Sequence, residues 1–212
     1  MLRIALLLLS ALVLAAAAPS SVVGVYQLSG VREAAGGLEL SADGRFSYGL
    51  SYGALDEAAE GKWRQEGNRI LLTTDPKPRP ATWELVNSEA GDPKVFALIL
   101  ENPKGQPIPN FTVIVRMNDG SEERGQTLNE WLEADLDTRT PVSVQFQVPV
   151  FDLTSPLFAV DLGKARRYRY RFDPADTGTR DFQDWPLEIK GELLSPPDAP
   201  AGQGFRKVDR AD

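Results

Sequence analysis

Beyond residue 18 the chain is a succession of short apolar or alternating runs separated by turn residues, with no apolar stripe sustained at helical spacing. The runs cover 22–28, 38–40, 45–50, 62–64, 70–74 and 82–86, then 95–100, 111–116, 142–148, 157–160, 167–172 and 187–194. Segments this short, with turn signals every roughly 8–12 residues, belong to sandwiches and barrels. The pattern predicts an all-β protein: an N-terminal antiparallel β-meander or partial barrel followed by a β-sandwich.

In the first half the runs are joined as hairpins. Asp43-Gly44 stands between Leu38-Glu39-Leu40 and Phe46-Ser47-Tyr48-Gly49-Leu50, and a type I′ turn needs positive φ at both central residues. Phe46, Tyr48 and Leu50 then share one face. Gly67-Asn68 predicts a second such turn, between Trp63 and Ile70-Leu71-Leu72. Residues 53–61, bounded by Gly53 and Gly61, read as a looped connection too short for a packed helix. Prolines 76, 78 and 80 make an extended, semi-rigid stretch, and Trp83-Glu84-Leu85 reads as the last strand of the first unit. The boundary is expected at Asn87 to Lys94, around Gly91-Asp92-Pro93. That division gives a meander over 18–87, a sandwich over 95–194 and a disordered tail over 195–212, where Pro, Gly and charge dominate.

The start of the chain has a different character. Arg3 precedes an almost purely Leu, Ala and Val run from Ile4 to Ala18. That run is shorter than the roughly 20 residues a membrane-spanning helix needs, and its small residues at the end mark a secretory signal peptide. Cleavage is expected after Ala17, which makes residues 1–17 the leader and places the protein in the periplasm or outside the cell. Membrane attachment would then arise only through an uncleaved leader. The chain has no Cys and no His. This excludes disulfides, Cys/His metal sites and nucleophile–His catalysis, and leaves carboxylates, Lys, Tyr and Ser as candidate chemistry. With 23 basic against 30 acidic residues the formal net charge is −7, so nucleic acid is not an expected partner.

Gly24-Val25-Tyr26, Leu38-Glu39-Leu40, Asp43-Gly44-Arg45-Phe46, Gly61-Lys62-Trp63 and Ile70-Leu71-Leu72 follow one rhythm: Gly-x-aromatic, an Asp-Gly hairpin ending in an aromatic, Gly-x-Trp, then a Leu-rich strand. On these residues 24–86 resembles the small lipocalin-like barrels of exported bacterial proteins, though its length falls short of eight strands. In the second half, Gly105-Gln106-Pro107-Ile108-Pro109-Asn110-Phe111-Thr112-Val113-Ile114-Val115 is followed by Asn118-Asp119-Gly120 and Thr127. On these residues 95–194 resembles the carboxypeptidase-regulatory or transthyretin-like β-sandwich; the usual Asp-x-x-Gly after the Thr is replaced by Asn129-Glu130-Trp131. The resemblance implies an accessory, non-catalytic scaffold.

Three groups of residues bear on binding or chemistry. Arg167, Arg169 and Arg171 alternate with Tyr168, Tyr170 and Phe172, so a strand here carries three guanidiniums on one face. Either they form an anion-binding strip or they pair with acids on a neighbouring strand, and Glu133, Asp135 and Asp137 are the expected partners. Thr127-Leu128-Asn129-Glu130 has the form of a capping box, but a strand is the favoured reading. Asp56, Glu57 and Glu60 lie near Tyr48, Tyr52 and Trp63, the only arrangement suited to carboxylate-based glycan chemistry. Asp173, Asp176 and Asp181 surround Gly178 without calcium-loop spacing and read as an Asx-turn loop. No catalytic residue, metal ligand or cofactor is assigned. The expected function is a non-enzymatic binding or scaffolding module for an unknown protein or small ligand. An alternative is a binder of small hydrophobic ligands or glycans through Tyr48, Tyr52, Trp63 or the three arginines; a carboxylate-based glycan enzyme is the third reading.

Overall fold

The computed structural model describes residues 22–136 and 138–209; the expected leader with its expected cleavage site, and Asp137, lie outside them. The protein is all-β. The chain first lays down β1 (Gly24–Ser29), β2 (Ala34–Leu40), β3 (Arg45–Tyr52), β4 (Leu55–Glu66) and β5 (Arg69–Thr74), an antiparallel meander. Nine strands follow: β6 (Thr82–Glu89), β7 (Val95–Glu101), β8 (Thr112–Met117), β9 (Glu122–Gln126), β10 (Leu132–Asp135), β11 (Pro141–Val148), β12 (Leu153–Thr154), β13 (Phe158–Ala159) and β14 (Arg167–Asp173). The last three are β15 (Trp185–Lys190), β16 (Leu193–Ser195) and β17 (Gly204–Val208).

The meander does not close on itself. β15, β16 and β17 return to complete an eight-stranded closed barrel in the order β1-β17-β16-β15-β5-β4-β3-β2, compatible with a lipocalin-like barrel. Leu28 pairs with Phe205 across β1 and β17, and Trp185 with Leu72 across β15 and β5. The segment expected to be a disordered tail, 195–212, therefore supplies the barrel strand β17 and the last residue of β16. The reason is visible in one of its few apolar residues: Phe205 is buried, and burying it contributes about 1.5–3 kcal/mol. Closure also removes the exposed edges that β1 and β5 would otherwise present.

β6 to β14 form a separate pair of sheets, β10-β7-β14-β6 and a five-stranded sheet of β8, β9 and β11 to β13. This sandwich is inserted into the barrel between β5 and β15 rather than following it. β6, expected to end the first unit, pairs antiparallel with β14, and residues 90–94 merely link β6 to β7. The chain passes between units at 75–81 and again at 174–184. The second sheet pair has its own core, with Phe96, Leu98, Leu100, Val113, Phe146, Tyr168, Tyr170 and Phe172 all buried.

Two local expectations change as well. Of residues 53–61, Gly53-Ala54 make a turn and 55–61 are the first part of the continuous strand β4, in which Leu55, Glu57 and Ala59 alternate inward with Asp56, Ala58 and Glu60 outward. At Gly61 the strand passes from pairing with β3 to pairing with β5; a Cβ there would stand 2.1 Å from the Thr73 carbonyl oxygen, so only Gly allows this corner. The Asp43-Gly44 hairpin is also wider than a type I′ turn. Only Gly44 has positive φ, and Ser41 N–H donates to the Arg45 carbonyl across the loop. Residues 127–131 form no helix, and β10 follows as a strand.

Candidate functional site

Tyr48 and Trp63 face the inside of the barrel and pack against its core. The Tyr48 ring meets Phe182, Trp185 and Phe205 edge-on at centroid distances of 5.1, 6.3 and 5.9 Å. Burial, reinforced by the Glu57 carboxylate and partly opposed by Arg180, pushes its phenol up to about 12. Trp63 spends its Nε1–H on the Ser41 carbonyl at 3.0 Å. Tyr52, at the end of β3, is 53% exposed. The three rings do not converge on a common platform, and the lumen beside Tyr48 is filled by aromatic side chains.

The arginine strip is placed as expected, with Tyr168, Tyr170 and Phe172 buried on the other face of β14. Its partners differ. Arg171 Nη1 lies 2.7 Å from Glu84, Arg167 Nε 4.0 Å from Glu89, and Arg169 pairs with Glu101. Arg167 and Arg169 also stand over the Trp131 ring, at 4.1 and 5.2 Å. Glu133 and Asp135 lie on β10, which pairs with β7 and not with β14. β7 comes between them because its run from Phe96 to Glu101 is buried on both faces, the character of a central strand. The anion-strip reading loses its open row of guanidiniums: Arg169 and Arg171 are hydrogen-bonded to carboxylates, and Arg167 lies over the Trp131 ring with Glu89 4.0 Å away.

The carboxylates of β4 also separate. Asp56 and Glu60 point outward and are exposed, while Glu57 points inward and accepts a hydrogen bond from Arg180 at 3.3 Å. In the 173–181 loop, Asp173 accepts from the Ala175 N–H at 2.8 Å, an Asx turn. Asp176 is turned instead toward the first connector. It accepts from the Arg79 backbone N–H at 2.8 Å and from the Arg79 guanidinium at 3.2 and 3.3 Å. This pairing holds the Asp176 carboxyl below, and the Arg79 guanidinium above, their ordinary values. Among the described residues no group of three or more acidic side chains is placed to hold a metal ion.

These contacts mark out a feature that no single stretch of sequence announces. Where the two connectors cross between barrel and sandwich, an open cleft of about 810 Å³ is walled by residues 77–81, 149–153 and 176–181, with Glu57 at the barrel side. The returning connector is stitched to the barrel. Ala58 N–H donates to the Gly178 carbonyl and Arg180 N–H to the Ala58 carbonyl, and the Thr74 hydroxyl donates to the Arg180 carbonyl while accepting from Phe182 N–H. Phe182 then turns into the barrel core. Gly178 runs between the β4 backbone and the sandwich; its φ is +89°, and a Cβ would lie 3.2 Å from the Asp56 carbonyl oxygen and 3.7 Å from Phe151 Cε1. Three ion pairs surround the opening: Lys77 with Asp181 at 3.7 Å, Arg79 with Asp176 at 3.2 Å, and Arg180 with Glu57 at 3.3 Å. Pro78, Pro80, Val150 and Phe151 supply apolar surface between them. Sequence reading took 76–80 as a spacer and 173–181 as a plain loop. The available signal was that both stretches carry charge; that they flank one unit is seen only in the fold, since the sequence reading placed 173–181 inside the 95–194 sandwich.

Comparison of the chain with protein-family models, with curated proteins and with solved structures gives no match.

Proposed function

We propose that the chain is an exported, non-enzymatic binding module that takes its ligand or partner in the cleft between barrel and sandwich. The observation that carries this reading is the position of the cleft, to which barrel, sandwich and both connectors all contribute lining residues. A ligand there would touch both units at once, as ligands often do at domain interfaces. The barrel lumen, the usual place for a ligand in a lipocalin-like barrel, is taken up by Tyr48, Phe182, Trp185 and Phe205. Acid–base catalysis by a carboxyl pair needs one member held protonated. Asp176 is pushed the opposite way by Arg79, which suits recognition better than proton transfer. The leader pattern supports export, and the resemblances to lipocalin-like and transthyretin-like domains support an accessory role.

The test is a screen of small anionic, cationic and neutral compounds against the chain from Ala18 onward, read by amide resonances. Shifts gathered on Lys77, Arg79, Val150 to Leu153 and Asp176 to Asp181 are expected. Shifts gathered instead around Tyr48 and Phe205 would move the site into the barrel. Turnover of a glycan or ester substrate that is lost in Glu57→Gln would replace the reading with an enzyme.

A further inference from the structure

We propose that β6 is a docking edge for a second copy of the chain, the two β6 strands pairing antiparallel so that the two molecules share one continuous sheet. The barrel is closed, which leaves the edges of the two sandwich sheets as the open ones. Three of these four edges are blunted in the ways that keep sheets from adding strands. β9 carries Glu122, Glu123 and Arg124 along its exposed length. β10 has four residues, and two of them are Glu133 and Asp135. β12 and β13 have two residues each and are divided by Pro156. β6 is different. It runs for eight residues, all but Trp83 exposed, and its middle holds Leu85 and Val86 at 40% and 39% exposure.

The acids of β6 do not guard it in the same way. Glu84 is bound by Arg171 at 2.7 Å, and Glu89 lies 4.0 Å from Arg167. The arginines of β14 offset both charges from behind, and repulsion between two copies of the edge falls accordingly.

The register of β6 on β14 makes the strand self-complementary. Directly opposite residues share a face of the sheet. Glu84, Asn87 and Glu89 stand opposite Arg171, Arg169 and Arg167 and share their outer face. Trp83, Leu85 and Ser88 stand opposite Phe172, Tyr170 and Tyr168 and share the core face, while Val86 is the extra residue of a bulge. The triplets 82–84 and 87–89 therefore both read outer, core, outer. A two-fold axis perpendicular to the sheet keeps every side chain on its own face. It can set Thr82 opposite Glu89 and Trp83 opposite Ser88 only because the bulge resets the alternation. In that register Glu84 faces Asn87, Glu89 faces Thr82, and no acid faces an acid. Leu85 and Val86 meet their copies at the axis, where contact removes apolar area from water. The edge N–H and C=O groups would accept a strand of any sequence. The side chains beside them fit this same strand reversed, which favours a second copy over an unrelated peptide.

The test is sedimentation of the chain from Ala18 onward up to about 1 mM, together with cysteine cross-linking, for which the chain has no competing thiol. A reversible dimer should form. Val86→Lys, which sets two like charges at the axis, should weaken it by about tenfold or more. Leu128→Lys, at an exposed apolar residue outside β6, should leave it unchanged. Val86→Cys should give a disulfide-linked dimer under mild oxidation. Thr82→Cys should not, because Thr82 lies opposite Glu89 and its own copy is then roughly 24 Å along the strand. A chain that stays monomeric to about 1 mM would overturn the proposal, as would a dimer that Val86→Lys leaves equally tight. Equal cross-linking through Thr82→Cys and Val86→Cys would overturn the antiparallel register. Val86→Cys, a smaller change than Val86→Lys, keeps the test available if the lysine variant unfolds, and failure to link would then count against the edge.

Discussion

Phe205→Ala tests whether the last strand holds the barrel closed. Phe205 is 3% exposed, pairs with Leu28 of β1 and Leu194 of β16, and meets the Tyr48 ring at 5.9 Å. Losing a buried Phe side chain forfeits a transfer term of about 1.5–3 kcal/mol. The cavity left among rings already packed edge to edge raises the total to about 3–5 kcal/mol. A residue in a solvated tail would show no such loss; Asp198→Ala, in the exposed turn before β17, should change stability by less than about 0.5 kcal/mol. The assay is urea unfolding followed by tryptophan fluorescence and near-ultraviolet circular dichroism, with the midpoint compared at constant slope. Trp63 and Trp185 report on the barrel and Trp83 on the sandwich. The loss should fall on the barrel transition if the two units unfold separately. A Phe205→Ala loss below about 1 kcal/mol would refute the closure argument.

The three arginines of β14 should separate by the burial of their partners. Arg169→Ala strands Glu101, whose side chain is 6% exposed, and should cost about 1–3 kcal/mol, whereas Arg171→Ala, opposite the 57% exposed Glu84, should stay within about 0.2–1 kcal/mol; equal losses in chemical denaturation would contradict this. Alkaline stability should depend on Tyr48. Its phenol ionises near 10 when unfolded and is pushed up to about 12 when folded, so its contribution is intact below pH 10 and is lost as pH climbs toward 12. Tyr48→Phe should flatten part of that decline, and an unchanged alkaline limb in pH-dependent unfolding would count against the buried placement. Joining Asp75 to Arg180 through a short Gly-containing turn, with the sandwich removed, should leave a folded barrel with dispersed amide resonances, because β5 and β15 are already antiparallel neighbours. A collapsed spectrum would mean that the barrel depends on its insertion.

Much of the fold was legible because strand signals are local. Alternation placed most of the β segments, and the arginine–aromatic run declared which face of β14 is buried. What could not be read was which strands meet. The pairing of Leu72 with Trp185 and of Leu28 with Phe205 spans most of the chain, and nothing in either run names its partner. Composition misled in the last stretch for a related reason. Pro196, Pro197, Pro200 and Gly202 form the turn between β16 and β17, and their density hides that Phe205 beyond them is buried and anchors the strand that closes the barrel.

The candidate site was less legible than the fold, and the cause is topological. Lys77, Arg79, Asp176, Arg180 and Asp181 each belong to a stretch whose local reading is a solvated connection, and each reading is right about local conformation. Their meaning changes when a domain is inserted between β5 and β15, because an insertion brings its two connectors together at one place. The Arg79–Asp176 contact joins positions 97 residues apart, and Glu57 meets Arg180 across 123. Charged residues in paired connectors thus become a cleft rim only after the barrel has closed. The same closure fills the lumen with Phe182 and Trp185, the first residues of the returning chain to enter it. Occupying the lumen and opening the cleft are two consequences of one connection, which is why binding in this protein is argued at the junction rather than inside the barrel.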